Sequence, residues 1–298
     1  MNSPFHTPVL LSELMEYLDV SREGIYVDCT LGLGGHAVEI LKRNPHAKLV
    51  GIDIDEESLN IARKKLEPYA SRVIIYHSDF RYLPDIDIDF SKIKAIYMDL
   101  GMSSFQLNST ERGFSFNTEG PLDMRMDLRN NLTASKIINE YSEKRLNEIF
   151  FKFGELKQAK RLAHEIVSNR KGEKFKTTSQ LRRLCEEVCR WRPQKGKIHP
   201  AAKVFQALRI EVNQELNNLS DFIEEISEKI KKKARIAAIS FHSLEDRIIK
   251  HTFKKLAHPK TSNSTLKILT KKPVIPSEKE ISLNPRSRSA KLRVAEKI

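Results

Sequence analysis

The stretch that decides the fold reads Ile25-Tyr-Val-Asp-Cys-Thr-Leu-Gly-Leu-Gly-Gly-His36, and it is followed by Leu49-Val-Gly-Ile-Asp-Ile-Asp55. An apolar strand leads into a glycine-rich turn and a helix, and a second apolar strand ends on Asp53. Glycines let the backbone turn sharply and approach a ligand with no Cβ in the way. A carboxylate about twenty residues after such a turn is where nucleoside-binding α/β folds hold the ribose hydroxyls. The pattern therefore predicts a site for a nucleoside-bearing cofactor.

The strand ends indicate which cofactor this is. The spacing from Gly32 to Ala37 also satisfies a loose dinucleotide fingerprint, so an NAD-dependent oxidoreductase is the first alternative. Asp28 ends the first strand, where its carboxylate can hold the α-amino group of S-adenosylmethionine and would repel a pyrophosphate. Asp79 and Phe80 end the third strand and are placed to meet the edge and the face of an adenine, although Phe80 alone also suits a core. As a set, these residues favour S-adenosylmethionine.

The first hundred residues alternate strands with helices. Strands are predicted at 25–30, 48–53, 72–77 and 94–99, and helices at 35–44 and 56–70. Asp55 is expected to cap the second helix. Such alternation with short connections gives a parallel sheet with right-handed crossovers, and ligands lie at the carboxyl ends of its strands.

The alternation stops after Leu100, where a second kind of structure is predicted. In chain order we expect a long functional loop at 101–131, helices over 133–192 and a long helix at 201–231. A strand at 234–241 follows, and then a helix at 244–257 that begins with a capping box of Ser243 and Asp246. The chain is expected to be irregular at 258–290 and to end in a strand at 291–298. The sequence thus predicts a discontinuous α/β domain, 1–107 and 206–298, which is interrupted by a loop and an all-helical insertion at 108–205.

The net charge of +13 is unevenly distributed. Residues 1–100 contain 11 basic and 16 acidic side chains, whereas residues 157–210 contain 15 basic and 4 acidic and residues 231–298 contain 18 basic and 5 acidic. An acidic cofactor half joined to two basic stretches indicates a polyanionic substrate, and nucleic acid is favoured over a merely solvated lysine-rich surface. Charge alone does not distinguish RNA from DNA.

Other features narrow the class of protein. No apolar run approaches 18 residues, and the N-terminal segment has no basic region and carries Glu13 in its apolar part, so neither a membrane span nor a signal peptide is expected. The three cysteines, Cys29, Cys185 and Cys189, form no C-x-x-C pair, which favours reduced thiols and a cytoplasmic location. No metal site is expected, because no histidine or second cysteine pair completes one.

The fourth strand ends in Met98-Asp-Leu-Gly-Met-Ser-Ser-Phe-Gln106. At this place amino-directed methyltransferases hold the exocyclic amine of a target base in a corner lined by acceptors. Their Asp/Asn-Pro-Pro-aromatic signature is absent here, so the local sequence does not assign the target atom. Asp99 and the turn at 99–104, including Ser103, are the candidate acceptors. The aromatic residues expected to stack on a flipped base are Phe105, Phe114 and Phe116.

Several strings, in order and from end to end, closely resemble the bacterial 16S rRNA (cytosine-N4)-methyltransferase family. They are His6-Thr-Pro-Val-Leu-Leu, Asp28-Cys-Thr-Leu-Gly-Leu-Gly-Gly-His36, Asp99-Leu-Gly-Met-Ser-Ser, Arg112-Gly-Phe-Ser-Phe, Gly120-Pro-Leu-Asp-Met-Arg-Met126, Phe205-Gln-Ala-Leu-Arg-Ile-Glu-Val-Asn213, Ser240-Phe-His-Ser-Leu-Glu-Asp-Arg247 and Asn284-Pro-Arg-Ser-Arg-Ser-Ala-Lys-Leu-Arg293. The resemblance implies a Rossmann-like class I methyltransferase sheet with an all-helical inserted domain for substrate recognition. It also implies N4-methylation of a specific cytidine in the decoding region of small-subunit rRNA. The substrate would be that rRNA or a ribosomal particle, and the oligomeric state stays open, with a homodimer among the alternatives.

The family motifs and the pattern of the residues together define the candidate site. Matching the motifs residue by residue implies cofactor contacts at Gly34, Gly35, His36, Asp53, Phe80, Asp99 and Gln106, to which the residue pattern adds Asp28, Gly32 and Asp79. The candidate catalytic residues are Asp99, Ser103 and His242, and the candidate RNA contacts are Phe114, Phe116, Arg125, Arg286 and Arg288.

Each of the less specific candidates has a structural alternative. His242 can touch RNA or merely brace a loop, Arg125 can cover the active site or form a buried ion pair, and Arg286 with Arg288 can clamp phosphates or belong to a solvated segment. Two further functions remain as alternatives. One is a DNA cytosine-N4 methyltransferase, disfavoured by the missing Pro-Pro, and the other is an assembly factor without catalysis.

Overall fold

The computed structural model describes residues 8–194, 196–258 and 265–298, apart from the side chains of Ser104 and Asn108. His6 and Thr7 of the first family motif lie outside the described residues. The chain forms two compact units, one made of Met1–Gly101 with Asn218–Ile298 and the other of Met102–Asn217. The boundaries lie after residues 101 and 217, whereas the sequence placed them after residues 107 and 205.

The first unit contains a seven-stranded sheet with the order β3-β2-β1-β4-β5-β7-β6. The strands are β1 (Gly24–Asp28), β2 (Ala47–Asp53), β3 (Val73–His77), β4 (Ile93–Asp99), β5 (Arg235–Ser240), β6 (Leu266–Ile268) and β7 (Lys291–Lys297). Strands β1 to β5 pair in parallel, and β7 is antiparallel to both β5 and β6. The predicted α/β sheet is confirmed, and the switch in strand order lies at β1 and β4.

The helices flank this sheet or belong to the second unit. In chain order they are α1 (Leu11–Leu18), α2 (Gly35–Arg43), α3 (Glu56–Leu66), α4 (Ser104–Asn108), α5 (Ala134–Glu140), α6 (Glu143–Lys152), α7 (Ala159–Asn169), α8 (Thr178–Val188), α9 (Pro200–Asn213), α10 (Leu219–Lys229), α11 (Ser243–Leu256) and α12 (Glu278–Leu283), of which α4 to α9 form the second unit. None of the helices that the structure describes is both long and apolar enough to cross a membrane.

Alternation along the strands builds two cores, one on each face of the sheet. In β4, Ala95 and Tyr97 pack with residues of α1, α2 and α3, whereas Ile96 and Met98 pack with residues of α10 and α11. Successive side chains of a strand point to opposite faces, so a strand buried on both sides reads as a continuous apolar run. This explains why β1, β2 and β4 were predictable from sequence. Their carboxyl ends lie together at one edge of the sheet.

The predicted N-terminal cap is confirmed for α3 and wrong for α11. Asp55 caps α3 as predicted, since its carboxylate accepts a hydrogen bond from the Glu57 N–H at 3.2 Å. The predicted capping box of Ser243 and Asp246 is wrong by one residue. The helix begins after His242, whose ring nitrogen accepts from the N–H of Glu245, while the Glu245 carboxylate accepts from the N–H of His242. An imidazole acceptor is an uncommon helix cap, and serine is the usual choice.

Two predictions of regular structure also need correction. The single helix expected at 201–231 is two helices, α9 and α10, because Gln214 and Asn218 adopt left-handed backbone angles with φ of 50° and 55°. The segment 258–290 was expected to be irregular, yet its described part contains β6, α12 and a short 3-10 helix, Pro285–Ser289. The helical spacing of apolar residues continues from α9 into α10, so the sequence does not show the break between them. Short elements contain too few residues for a clear apolar pattern.

The second unit is helical, as predicted for the insertion. Helices α6 to α9 bury an apolar side each, with Leu146, Phe150, Leu162 and Leu181 fully buried. The loop expected at 101–131 begins with the short helix α4 and is otherwise held by turns and by an isolated bridge to Thr177.

Candidate active site

The glycine turn after β1 is held by the carboxylate that ends β2. Oδ2 of Asp53 accepts a hydrogen bond from the N–H of Gly32 at 2.7 Å, and Oδ1 accepts from the N–H of Asp55 at 2.9 Å. Gly32 has a φ of 49°, and among the described residues a Cβ built there would meet the Thr30 carbonyl oxygen alone, at 3.8 Å. Burial raises the pKa of Asp53 to about 6. The turn therefore presents backbone without side chains near it in the described part of the chain, beside a carboxylate that already orders the turn.

Asp28 lies beneath this turn. Its carboxylate is 2% exposed, accepts the hydroxyl proton of Tyr97 at 2.7 Å and accepts the N–H of Thr30 at 3.1 Å. Burial raises the pKa of Asp28 to about 7, against the opposing effect of these hydrogen bonds. Both oxygens thus have partners within the protein, and the direct contact with an α-amino group stays a prediction. The sequence analysis missed Tyr97, although a tyrosine in an otherwise apolar strand is a signal for a buried hydroxyl that needs a partner.

Asp99 ends β4 next to this pair. Its backbone N–H donates to the hydroxyl of Thr30 at 2.6 Å, and its Oδ2 lies 3.7 Å from Nδ1 of His36. The other ring nitrogen of His36 lies 3.0 Å from the carbonyl oxygen of Val9. Oδ1 of Asp99 is buried and has no hydrogen-bond partner among the residues that the structure describes. The predicted site residues His36 and Asp99 are therefore in contact, and Oδ1 of Asp99 remains able to accept a hydrogen bond from a ligand.

The electrostatics of Asp99 come from its neighbours. Burial first, and then the charges of Asp28 and Glu245, raise the pKa of the Asp99 carboxyl well above its usual range. Glu245 was missed by the sequence analysis. It is 2% exposed, and its Oε2 accepts from the N–H groups of Phe241 at 2.8 Å and of His242 at 3.2 Å. Carboxyls that approach one another with little solvent cannot all ionise without cost, unless a cation joins them.

His242 is tied to its own turn. Its Nδ1 accepts from the N–H of Glu245 at 3.4 Å, and its Nε2 lies 3.2 Å from Oε1 of the same residue. The ring is 8% exposed. These contacts support the bracing interpretation, and the contact with RNA stays a prediction.

The acid and the aromatic expected at the end of the third strand lie just beyond it, since β3 ends at His77. Asp79 caps the short 3-10 helix Phe80–Asp85, and both of its oxygens accept from Nε of Arg81, at 2.9 and 3.0 Å. Phe80 is half-buried and packs edge to face against Phe222, with 4.9 Å between ring centroids. Arg81 thus compensates the charge of Asp79, and the adenine contacts of Asp79 and Phe80 stay predictions.

In the second unit, Ser103 and Gln106 cap the short helix α4. The Ser103 hydroxyl accepts from the Gln106 N–H at 3.2 Å, and Oε1 of Gln106 accepts from the Ser103 N–H at 2.9 Å. Gln106 is 5% exposed. This capping box was present in the sequence as a serine followed three residues later by a glutamine. It orders the segment that follows Asp99, while the predicted catalytic role of Ser103 is untested.

The candidate stacking aromatics of the second unit are already engaged. Phe114 is buried, and Phe116 stacks on the ring of His199 at 5.0 Å with an interplanar angle of 18°. Phe116 also packs edge to face against Phe205 at 5.8 Å. Both were predicted to contact RNA, and in the structure they pack within their own unit.

The predicted arginine contacts have different surroundings. Arg125 forms two hydrogen bonds with Asp123, at 2.9 and 2.7 Å, and donates to two loop carbonyls, so it braces the loop 123–130. Arg286 and Arg288 are exposed on the 3-10 helix Pro285–Ser289. Arg293 in the last strand donates from its Nε to Oδ1 of Asp246 at 2.6 Å, and Arg235 donates from its Nε to Oε2 of Glu296 in the same strand at 3.2 Å. The phosphate contacts of Arg286 and Arg288 stay predictions.

The first unit fits S-adenosylmethionine on three observations. Among the described residues, the glycine turn leaves space at Gly32 and Asp99 offers a buried oxygen that lacks a partner. The carboxyls of Asp28 and Asp53 have raised pKa values. A ligand with a sulfonium and an ammonium group would offset the concentration of acidic groups, and a pyrophosphate would increase it. The fold and the site together define a class I methyltransferase.

Comparison with known proteins agrees with this class. The family model described as "MraW methylase family" matches residues 3–298, and the chain belongs to that family. S-adenosylmethionine is therefore its methyl donor, as predicted. The chain is 44% identical to a protein of Carboxydothermus hydrogenoformans named ribosomal RNA small subunit methyltransferase H, with 98% of each chain covered. A protein of Thermotoga neapolitana with the same name is 45% identical, with 98% of this chain and 96% of the relative covered.

Proposed function

We propose that this protein transfers a methyl group from S-adenosylmethionine to the exocyclic N4 of one cytidine in the decoding region of small-subunit rRNA. The relatives named ribosomal RNA small subunit methyltransferase H support rRNA as the substrate, since they match over nearly the whole chain. The resemblance of the motifs to the cytosine-N4 family supports the choice of atom. The observation that carries the proposal is the buried Oδ1 of Asp99, an acceptor with no partner in the described part of the chain.

The chemistry requires an acceptor at this place. The N4 lone pair of cytosine is delocalised into the ring, so the amine is a weak nucleophile. S-adenosylmethionine supplies a methyl group that is already strongly electrophilic. Asp99 accepts an N–H bond of the amine, which localises the lone pair towards the methyl group and orients it for in-line displacement. When the new C–N bond forms, the amine loses a proton, and the Asp99 carboxylate can hold it.

The environment of Asp99 suits this role. Burial and the charges of Asp28 and Glu245 raise its pKa, so its carboxylate binds a proton more strongly than an exposed aspartate does. The carboxyl must be ionised at the start of the reaction, so activity should rise with pH until that ionisation is complete. His36, 3.7 Å from Oδ2, keeps the side chain in place and leaves Oδ1 for the amine.

The substrate must bring one base out of its stack. Unstacking costs a few kcal/mol, and contacts with the surrounding RNA compensate for it. The basic stretches 157–210 and 231–298 supply positive charge for phosphates, in contrast to the acidic first hundred residues. We assign substrate recognition to the second unit and to the C-terminal segment on this distribution.

The test is methyl transfer to purified small ribosomal subunits that lack the modification, followed by mass mapping of the rRNA. We expect one methylated cytidine in the decoding region, and fragmentation of that nucleoside should place the methyl group on N4. Asp99→Ala is the matched inactive control. Methylation of C5, of a ribose or of DNA would contradict the proposal. Tight binding to subunits with no transfer would indicate an assembly factor instead.

A further inference from the structure

The carboxyl ends of β4 and β5 lie side by side in the first unit. Asp99 pairs in register with Ile239, and the N–H of Leu100 donates to the carbonyl oxygen of Ile239 at 2.9 Å. Beyond this point the two chains continue as Leu100-Gly101 and as Ser240-Phe241. The residues that follow Asp99 and those that follow Ile239 therefore meet at the edge of the sheet where the methyl acceptor is expected.

Asp99 and Phe241 lie on the same face of the sheet. Side chains alternate along a strand, so Tyr97 and Asp99 share one face, as do Ile239 and Phe241. Tyr97 and Ile239 belong to the same core, and Phe241 packs against that core. The Asp99 carboxylate reaches the same side, since it contacts His36, whose ring meets Tyr97 edge to face at 6.1 Å.

The ring of Phe241 lies against Gly101. A Cβ built on Gly101 would approach Cδ2 of Phe241 to 3.3 Å, a tight contact, and Gly101 has a φ of 104°, which residues with a side chain rarely adopt. Glycine therefore lets the ring lie close to the backbone without strain. The backbone of Phe241 is held by the hydrogen bond from its N–H to the buried Glu245 at 2.8 Å. Phe241 itself is half-buried, so this residue is not sealed inside the core.

The geometry points to Phe241 as the residue that stacks on the target base. Amino-directed methyltransferases carry an aromatic residue in the signature that follows the acceptor, and here that signature is replaced by Leu100-Gly101-Met102. Gly101 removes the side chain that would occupy the space, and the neighbouring strand supplies the ring. This inference rests on the proposed function, because a stacking platform beside Asp99 has a purpose only if a planar base binds there.

The test compares substitutions of Phe241 with a matched control on the same core. Tyr17 is also half-buried against that core, but it lies near the start of β5, where its carbonyl oxygen accepts from Arg235. Phe241→Leu should lower kcat/KM for unmethylated small subunits about 5- to 150-fold, the range that corresponds to losing one base–aromatic contact. The Kd of S-adenosylhomocysteine should stay within about twofold, and Phe241→Tyr should restore most of the activity. Tyr17→Leu should lower Tm without changing kcat/KM.

Each outcome decides the inference. A folded Phe241→Leu protein with unchanged kcat/KM overturns it, and so does an equal loss in Phe241→Leu and Tyr17→Leu. A weakened Kd for S-adenosylhomocysteine also overturns it, because the ring would then act on the cofactor and not on the base. If leucine prevents folding, Phe241→Met places a flexible, unbranched side chain without a planar ring at the same position and serves the same comparison. Failure of the proposed function looks different, because the wild-type protein would then leave N4 of cytidine unmethylated.

Discussion

Replacing Asp28 with asparagine should stabilise the protein, by an amount that depends on pH. Asp28 holds its proton up to about pH 7 in the folded state, against a usual value of 3.8. Between these values the folded state binds more protons than the unfolded chain, so stability falls as the pH rises. The pKa of Asp28 differs between the folded and unfolded states by about 3 pH units, and each unit corresponds to about 1.36 kcal/mol. The buried carboxyl therefore lowers the free energy of unfolding by about 4 kcal/mol at pH 8, but by only about 2 kcal/mol at pH 5.

Asparagine can keep the local hydrogen bonds. Its carbonyl oxygen can accept from the Thr30 N–H and its amide can donate to the Tyr97 oxygen, the two groups that Asp28 contacts at 3.1 and 2.7 Å. Asp28→Asn should therefore gain stability at pH 8 by up to about 4 kcal/mol, and the gain should shrink by roughly half at pH 5. Urea unfolding of the cofactor-free protein, followed by circular dichroism at both pH values, measures this.

The control is Asp85→Asn, which removes an exposed carboxyl from the same unit. It should change stability by less than about 0.5 kcal/mol at either pH. If the gain from Asp28→Asn is the same at pH 5 and pH 8, or if the variant is less stable at both, burial of an ionisable group does not dominate at Asp28. The reasoning would then be refuted.

Three further predictions concern the site and its substrate. Asp53→Ala should weaken S-adenosylhomocysteine binding by roughly 1.5–3 kcal/mol, because charge-assisted hydrogen bonds to the ribose are lost, and unchanged affinity in a calorimetric titration would exclude the ribose contact. Asp99→Ala should abolish transfer more than it weakens RNA binding, and turnover within about threefold of wild type at saturating cofactor and RNA would exclude Asp99 as the acceptor. Changing Arg286 and Arg288 together to alanine should lower affinity for small subunits and flatten its salt dependence, since fewer counterions are released. The control is Arg293→Ala, which should lower Tm because Asp246 loses a hydrogen bond of 2.6 Å within the fold. If Arg293→Ala is stable while the Arg286 and Arg288 double variant is unstable, the double variant acts on the fold and not on RNA binding.

Local pattern alone determined the strands β1 to β5 and β7, the glycine turn and the cap at Asp55. Each of these features depends on residues close together in sequence. The alternation of side chains along a strand, the conformational freedom of a glycine and the free N–H groups at the start of a helix all involve only a few neighbouring positions. Sequence therefore located β1, β2 and β4 within one residue at most ends, with β1 ending two residues earlier than predicted. The sequence also predicts that Asp28, Asp53 and Asp99 lie at one edge of the sheet, since the carboxyl ends of parallel strands meet there.

Only the tertiary structure decided what surrounds those residues. The Tyr97 hydroxyl that meets Asp28 is 69 positions away, and Glu245, which raises the pKa of Asp99, is still more distant in sequence. No local pattern encodes such contacts, because burial and charge depend on which strands become neighbours. The same holds for Phe241, which reaches Gly101 only because β5 pairs beside β4. The sequence determined which groups stand at the strand ends, and packing determined their ionisation, their partners and the single acceptor that Asp99 leaves over in the described part of the chain.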